Sequence, residues 1–339
     1  MNNIVSEYAR LLRLPGLGGL SIATVFGAIS VGILDLQNLA ILFLIGAFSA
    51  IYGFVLNDYA DVEIDKLSKE LSNRPLVKGT ISKKTALVIC ILCFIGVFIT
   101  IFMFFYKDQP SFYFGLLCIS LSAVFGTVYN LYGKKIIASD FLLALSEALL
   151  VLFGALMVVQ NEALSIFTWI IFLLTFNQLV YMNAVEGGLK DADHDYLMNV
   201  KNIALKIGVK VTKDNKLIIP ASFKIFGLGI RLFSTCLIFI PLVFYKETFD
   251  FELWHIALLA LFALGVLFSS TKLLTLKRFE RNKIRKLITA QSFLRYSLVP
   301  LMIIPLIGGL SSFILIMFPF IWYILFTPLI GEKLFRPGL

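Results

Sequence analysis

Charge is scarce in this chain: 15% of its 339 residues are Asp, Glu, Lys or Arg, against about a quarter in an ordinary soluble domain. Histidine is scarcer, with His194 and His255 alone, which argues against a histidine-based zinc site. Of the four cysteines, Cys90 and Cys93 form a literal CxxC, but both fall inside an apolar run and read as buried thiols rather than a redox or metal pair. Cys118 and Cys236 stand alone in other apolar runs. The first residues lack a basic stretch and a small-residue cleavage site, so no cleaved signal peptide is expected. Basic residues are spread over several loops without a reader motif, which excludes nucleic acid as the natural partner.

Apolar sequence fills the rest. Hydrophobic residues make up 59% of the chain and the mean hydropathy is +0.91. Runs near the ~20 residues needed to cross a bilayer recur at about 17–34, 38–56, 85–105, 112–132, 141–160, 165–183, 226–245 and 253–275. A further stretch at about 289–330, interrupted by Pro300, Pro305, Gly308, Gly309 and Pro319, holds one broken span or two shorter ones. The pattern predicts an all-α polytopic membrane protein. Arg10 and Arg13 precede the first run, and basic clusters follow the second, fourth, sixth and eighth, while the opposite loops offer little beyond Lys107 and Lys246. The positive-inside rule then puts the N-terminus and the loops after even-numbered spans in the cytoplasm. Lys333 and Arg336 prefer that side too. The net charge of +9 is mostly this asymmetry, and such a face attracts anionic lipid head groups and phosphorylated substrates.

Two places break the apolar pattern with carboxylates. The second run leads into Asn57-Asp58-Tyr59-Ala60-Asp61-Val62-Glu63-Ile64-Asp65. On a helix, Asn57, Asp58, Asp61 and Asp65 share an arc of roughly 100°, with Glu63 on the other side. Four oxygen-bearing side chains on one face repel each other unless positive charge sits among them, and a hard cation such as Mg²⁺ suits those oxygens. Ionisable groups at the membrane edge are functional candidates by default, although a solvated loop end has the same spacing. The sixth run leads into Glu186-Gly187-Gly188-Leu189-Lys190-Asp191-Ala192-Asp193-His194-Asp195. Asp191 and Asp195 are an i, i+4 pair on one helical face, Gly187 leaves room one turn earlier, and Asp193 and Glu186 project roughly opposite.

Each cluster ends an even-numbered span and precedes a basic loop. This suggests one transmembrane domain made of two quasi-repeated halves, about 1–135 and 136–339. Carboxylate clusters facing one another across a cavity would hold two divalent ions, with a diphosphate bridging them.

The spacing Asn57-Asp58-xx-Asp61-xxx-Asp65 resembles the NDxxDxxxD signature of the UbiA superfamily of intramembrane prenyltransferases, and Asn73-Arg74-Pro75-…-Gly79-Thr80-Ile81-Ser82 looks like its continuation. Asp191-xxx-Asp195 is similar to the second DxxxD signature, Lys190-Asp191 to the KD found there, and Tyr129 to Lys135 to a tyrosine-and-lysine stretch. The resemblance covers roughly residues 8–330. The chain departs from the pattern in a long link from Asp65 to Arg74, an extended loop at 199–224, and the lack of an arginine near Asn183.

That resemblance implies nine transmembrane helices around a central cavity with cytoplasmic cap loops. It implies Mg²⁺-dependent transfer of a prenyl group from an isoprenoid diphosphate donor to a lipophilic acceptor, releasing diphosphate. Asn57, Asp58, Asp61 and Asp65 would bind one Mg²⁺ and Asp191 with Asp195 a second, these Asp residues being catalytic. Arg74, Lys134 and Lys190 would meet phosphate oxygens. Tyr129, Asn130, Glu147 and Asn183 are candidates for an acceptor pocket; Glu147, a mid-span carboxylate, reads better as a neutral acid hydrogen-bonded within the bundle. The acceptor would be a glycerol-phosphate ether lipid, as in archaeal membranes, or an aromatic quinone precursor, the first motif lying slightly closer to the archaeal branch. A transporter or cation channel using the carboxylates as an ion site is the competing reading.

Overall fold

The computed structural model describes residues 4–66, 71–160, 163–244 and 251–331. Part of the long link after Asp65 (67–70), Lys246, Lys333 and Arg336 lie outside the described residues. Among the described residues, eight helices are each long and apolar enough to cross a membrane, or nine when a bent helix pair is counted as one span.

The chain starts with α1 (Ile4–Leu11), a 3₁₀ turn (Leu14–Gly16), α2 (Leu17–Leu20) and α3 (Ala23–Ser30). The first crossing therefore begins earlier than the run at 17–34 suggests, and it is bent by 47°. Arg13, in the left-handed region (φ 48°, ψ 42°), and Pro15, which donates no backbone hydrogen bond, interrupt the helix there. Then α4 (Leu36–Asp65) runs unbroken through the first acidic motif, its N-terminus capped by the Asp35 carboxylate accepting from Asn38 N at 2.9 Å. At 1.5 Å per residue, Leu36 to Leu56 rises about 30 Å, the thickness of a hydrocarbon core, so Asn57 falls where the membrane ends.

A short α5 (Pro75–Lys78) leads to α6 (Lys83–Phe104) and α7 (Pro110–Tyr132); α8 (Asp140–Val158) and α9 (Ile166–Val180) follow. After α9 the chain makes a π-helical turn (Tyr181–Gly187), then α10 (Gly188–Lys190), α11 (Ala192–Leu197) and α12 (Ile203–Ile207). The extended loop at 199–224 is ordered by a two-stranded antiparallel hairpin, β1 (Lys210–Val211) with β2 (Leu217–Ile218), Val211 opposite Leu217. The last helices are α13 (Ala221–Phe244), α14 (Leu253–Leu274), α15 (Arg281–Met302) and α16 (Ile304–Phe326). The stretch at 289–330 thus becomes two long helices, and the chain leaves helical geometry inside α16 at Gly308. With Arg281, Lys283, Arg285, Lys286 and Arg295, α15 is too polar to count among the nine apolar crossings.

The chain packs as two compact units. The first, among the described residues, takes in the chain up to Leu131, Ser146–Thr168 and the stretch from Met317; the second takes in Tyr132–Leu145 and Trp169–Ile316. In the first, Leu11, Val55, Leu56, Val62, Leu76, Ala86 and Cys90 form a buried cluster around the motif end of α4. Cys90 and Cys93 are free and buried there, as the apolar surroundings of the CxxC suggest. In the second, Tyr181, Val185, Leu189, Phe223, Leu274 and Ile284 form the core.

Apolar helices in lipid gain nothing from hiding from water, so close backbone contact and buried hydrogen bonds hold them together. In the first unit, Thr24 Oγ1 donates to Leu42 O at 2.7 Å and Ser30 Oγ lies 2.7 Å from Thr168 Oγ1. At Gly154 the backbones approach so closely that a Cβ would collide with the Thr24 carbonyl. Replacing Gly154 with Ala is expected to destabilise the protein by about 1–3 kcal/mol, the range for overpacking, read as a lower Tm in detergent. Gly53→Ala, whose added methyl meets nothing within 4 Å, should leave Tm unchanged.

Candidate functional site

In the first unit, α4 carries Asp58, Asp61 and Asp65 inward, 5%, 9% and 3% exposed, and turns Glu63 outward to Lys66 and Lys83. The helical spacing therefore sorts the carboxylates as expected. Arg74 bridges two of them: its Nη1 lies 3.2 Å from Asp58 Oδ1 and 2.5 Å from Asp65 Oδ2. The sequence explains how the arginine gets there. A residue before proline is driven to extended backbone, and Arg74 has φ −63° and ψ 138°. Pro75 then starts α5, and Gly79 ends it in the left-handed region at φ 77°, where side chains with a Cβ are disfavoured. Thr80 N and Ile81 N close the turn on Pro75 O at 3.1 and 3.4 Å.

The turn is held from α1. Buried Glu7 accepts from Thr80 Oγ1 at 2.9 Å and pairs with Arg10 at 3.4 Å and Lys78 at 3.7 Å. One residue of this cluster escapes sequence reasoning: Arg13, which reads there as a topological charge, donates from Nη2 to Asp58 Oδ1 at 2.9 Å with its guanidinium over the Phe54 ring. Its signal, a basic residue ahead of a Pro-Gly break, is too common to single out.

In the second unit the carboxylates are less enclosed. Asp191 sits at a helix break (φ −109°, ψ 10°) just before α11, without a capping side-chain hydrogen bond, so the regular helix expected through this motif is interrupted. The backbone still closes one turn, Asp195 N donating to Asp191 O at 2.8 Å, and the i, i+4 relation survives. Lys190 Nζ lies 3.3 Å from Asp191 Oδ2. Asp195 Oδ2 accepts from Asn202 Nδ2 at 2.7 Å, and the same Asn202 caps α12. Burial, followed by the charge of Asp191, pushes the Asp195 carboxyl up to about 6, while His194, Lys134 and Asn202 hold it from rising further. Lys134 belongs to this unit, its carbonyl accepting from Lys201 N at 3.0 Å. Each of the three basic candidates thus stands beside a motif carboxylate.

Asp193 projects away to Arg281, 2.7 Å distant. Glu186 turns into the core instead, 1% exposed, and meets Arg295 Nη1 at 2.6 and 2.7 Å. A methyl on Gly187 would meet only Met182 O at 3.5 Å, so the space there is open. The acceptor-pocket candidates have local bonds: Asn130 Nδ2 donates to Gly53 O at 3.2 Å, and Asn183 Nδ2 to Leu179 O at 2.9 Å. Tyr129 is half-buried in α7. Glu147 is half-buried in α8 and, contrary to the hydrogen-bonded acid expected, has no partner among the described residues. The cause is local, since apolar Ala144, Ala148 and Val151 flank it on its own helix.

No three His, Cys, Asp or Glu side chains converge as a ligand cluster among the described residues. Asp58 and Asp65 are bridged by Arg74 rather than drawn together. On α4 the donor chemistry still suits a hard divalent cation: buried carboxylates that follow Asn57 in sequence, with no Cys or His in that motif.

Residues 20–294 match the model of the UbiA prenyltransferase family. A digeranylgeranylglyceryl phosphate synthase of Saccharolobus solfataricus is 29% identical over 268 residues, covering 73% of this chain and 89% of that one. A 4-hydroxybenzoate octaprenyltransferase of Francisella tularensis subsp. novicida is 27% identical over 160 residues, 47% of this chain and 52% of its own. Among solved structures, a UbiA homologue from Archaeoglobus fulgidus bound to GPP and Mg²⁺ superposes with TM-score 0.61 at 19% identity, covering 96% of this chain and all of that one. A digeranylgeranylglyceryl phosphate synthase gives TM-score 0.65 at 20% identity, over 90% and 99% of the two chains.

The geometry around Asp195 has a direct readout. In metal-free protein, the infrared carboxylic-acid band assigned to Asp195 by its absence in Asp195→Asn should disappear as pH rises through about 6. Asn202→Ala removes a donor to the charged form and should move that loss to higher pH.

Proposed function

The chain belongs to the UbiA prenyltransferase family, and from that premise we propose that it transfers a prenyl group from an isoprenoid diphosphate to a lipophilic acceptor, with Mg²⁺ and with release of diphosphate. The observation that carries this reading is the buried face of Asp58, Asp61 and Asp65 at the membrane-edge end of an otherwise apolar helix, crossed by Arg74. A purely structural helix has no use for three enclosed carboxylates at that place. The Saccharolobus solfataricus relative, named for a glyceryl phosphate product, matches 73% of the chain, against 47% for the Francisella one named for 4-hydroxybenzoate. The acceptor we infer is accordingly a glycerol-phosphate ether lipid, with an aromatic acid as the second choice.

Asn57, Asp58, Asp61 and Asp65 would hold one Mg²⁺, and Asp191 with Asp195 another. When bound, the metal supplies positive charge that stabilises the diphosphate most as its own charge grows. Arg74 and Arg13 orient the carboxylates of α4 and present further N–H groups to phosphate oxygens, Arg as a planar fork. Lys134 and Lys190 do the same as point charges beside Asp195 and Asp191. In the reaction the allylic C1–O bond breaks and its electron pair leaves with the diphosphate. The acceptor's nucleophilic atom bonds to C1 and gives up its proton. Apolar side chains packed behind each cluster, such as Val55, Leu56 and Val62 in one unit and Ala184, Val185 and Leu189 in the other, keep out the water that would quench the allylic cation. The basic loops support a cytoplasmic position for both clusters, and the two carboxylate-bearing halves, about 1–135 and 136–339, read as a duplication.

The test is diphosphate release from geranylgeranyl diphosphate by purified protein with Mg²⁺, offered geranylgeranylglyceryl phosphate and 4-hydroxybenzoate in turn. Release with one acceptor is expected to fall at least about 100-fold in Asp61→Ala and in Asp191→Ala, the scale of losing electrostatic stabilisation of a leaving group. Wild-type protein that neither binds the donor nor releases diphosphate would overturn the reading and favour an ion-transport role for the carboxylates.

A further inference from the structure

The second unit contains a charged cluster that the transfer mechanism leaves unused. Glu186 lies on the π-helical turn, Arg231 in the middle of α13 and Arg295 on α15. Glu186 is fully spoken for: Arg295 Nη1 approaches its two oxygens at 2.6 and 2.7 Å, and Arg231 Nη2 stands 3.5 Å from Oε1. Arg231 is 3% exposed, its guanidinium 3.5 Å above the centre of the Tyr181 ring and its Nη1 donating to Gln178 Oε1 at 2.8 Å.

Two arginines, always protonated, against one carboxylate leave a surplus positive charge in the interior of an apolar bundle. Burying such a charge without an anion is costly, and a strut between helices would need only one Arg–Glu pair. The hydrogen-bond inventory points the same way. Arg231 Nε and Nη2 and Gln178 Nε2 are buried N–H donors without a hydrogen-bond partner. Surplus donors and surplus positive charge together describe a seat for an oxyanion. The π-turn adds a second sign, since such turns insert one residue into a helix and recur at functional sites. Along the chain Glu186 lies five residues before Asp191, so one short segment carries both this cluster and the second carboxylate pair.

We propose that Arg231, with Gln178 and the Glu186–Arg295 pair behind it, binds the anionic head group of the acceptor, a phosphate monoester or a carboxylate. This rests on the transferase reading and deepens it: Arg231 is a specificity residue that selects an acceptor carrying a negative charge beside its nucleophile. Glu186 and Arg295 are positioning residues, holding Arg231 over the Tyr181 ring.

The measurement is acceptor KM at saturating geranylgeranyl diphosphate and Mg²⁺, run in two arms with geranylgeranylglyceryl phosphate and with 4-hydroxybenzoate; the arm that turns over names the head group. Arg231→Gln should raise that KM at least tenfold while KM for the donor and Tm stay near wild type. Arg231→Lys should recover part of the loss, and the phosphate-free glyceryl ether should be used equally by wild type and Arg231→Gln. Binding of glycerol 1-phosphate and of 4-hydroxybenzoate to the wild-type protein, followed by calorimetry, gives a readout independent of turnover. Unchanged acceptor KM in Arg231→Gln, or a fall in donor binding and Tm that Arg231→Lys does not repair, would overturn the assignment. So would wild-type protein that binds the donor but neither anion, which sinks this proposal and spares the transferase reading. Loss of donor binding in wild type sinks that reading instead.

Discussion

Repulsion between carboxylates on one face of α4 is the constraint from which the first unit is organised. One guanidinium nitrogen touches both Asp58 and Asp65, so the two acids stand within roughly 6 Å, where like charges at an effective dielectric of 20 repel by about 3 kcal/mol. Something cationic has to stay among them. Arg74 and Arg13 supply it from opposite directions in sequence, one from the turn after α4 and one from the bend before α2. That need accounts for the attention the surrounding chain gives to placing two arginines. Pro75 fixes the first, the left-handed Arg13 backbone aims the second, and Glu7 holds α1 and the turn in register with each other.

The second unit solves a milder form of the same problem. Asp191 and Asp195 are more open, a helix break separates them, and one amide, Asn202, stabilises the more buried acid. Burial and the neighbouring charge of Asp191 push the Asp195 carboxyl up to about 6, and Lys134 and Asn202 work against that rise. The strongest charge constraint in this unit lies deeper, at Glu186, and there the balance tips to the positive side.

Long apolar runs and the 3.6-residue period made most of the fold legible, because in lipid a crossing helix must satisfy its own backbone. The period also separated Glu63 from Asp58, Asp61 and Asp65 correctly. What stayed hidden depended on contacts between distant residues. Arg13 reaches Asp58 across 45 positions, and Arg295 reaches Glu186 across 109, with no local pattern to announce either. The π-turn was invisible for a different reason: one extra residue in a helix leaves composition and hydropathy unchanged. Beyond it the helix breaks at Asp191, although its i, i+4 relation to Asp195 survives, and Glu186, read as projecting away from Asp191, points into the core. At α15 five basic residues lowered the hydropathy of a helix as long as its neighbours, which blurred the reading of 289–330.

The hydrogen bond from Arg10 Nε to Ile330 O, 2.9 Å long, fastens the beginning of the described chain to its end. Trp322, whose indole donates to Leu14 O at 2.9 Å, seals the same seam. Helix α1 is thus gripped on one side by the last described turn and on the other by the arginine-bearing turn beside the α4 carboxylates. A dye pair attached near residues 4 and 331 would sit a short distance apart and would brighten or dim with any loosening of that grip. The seam makes the two ends of the described chain a natural vantage point for watching the motif without touching a carboxylate.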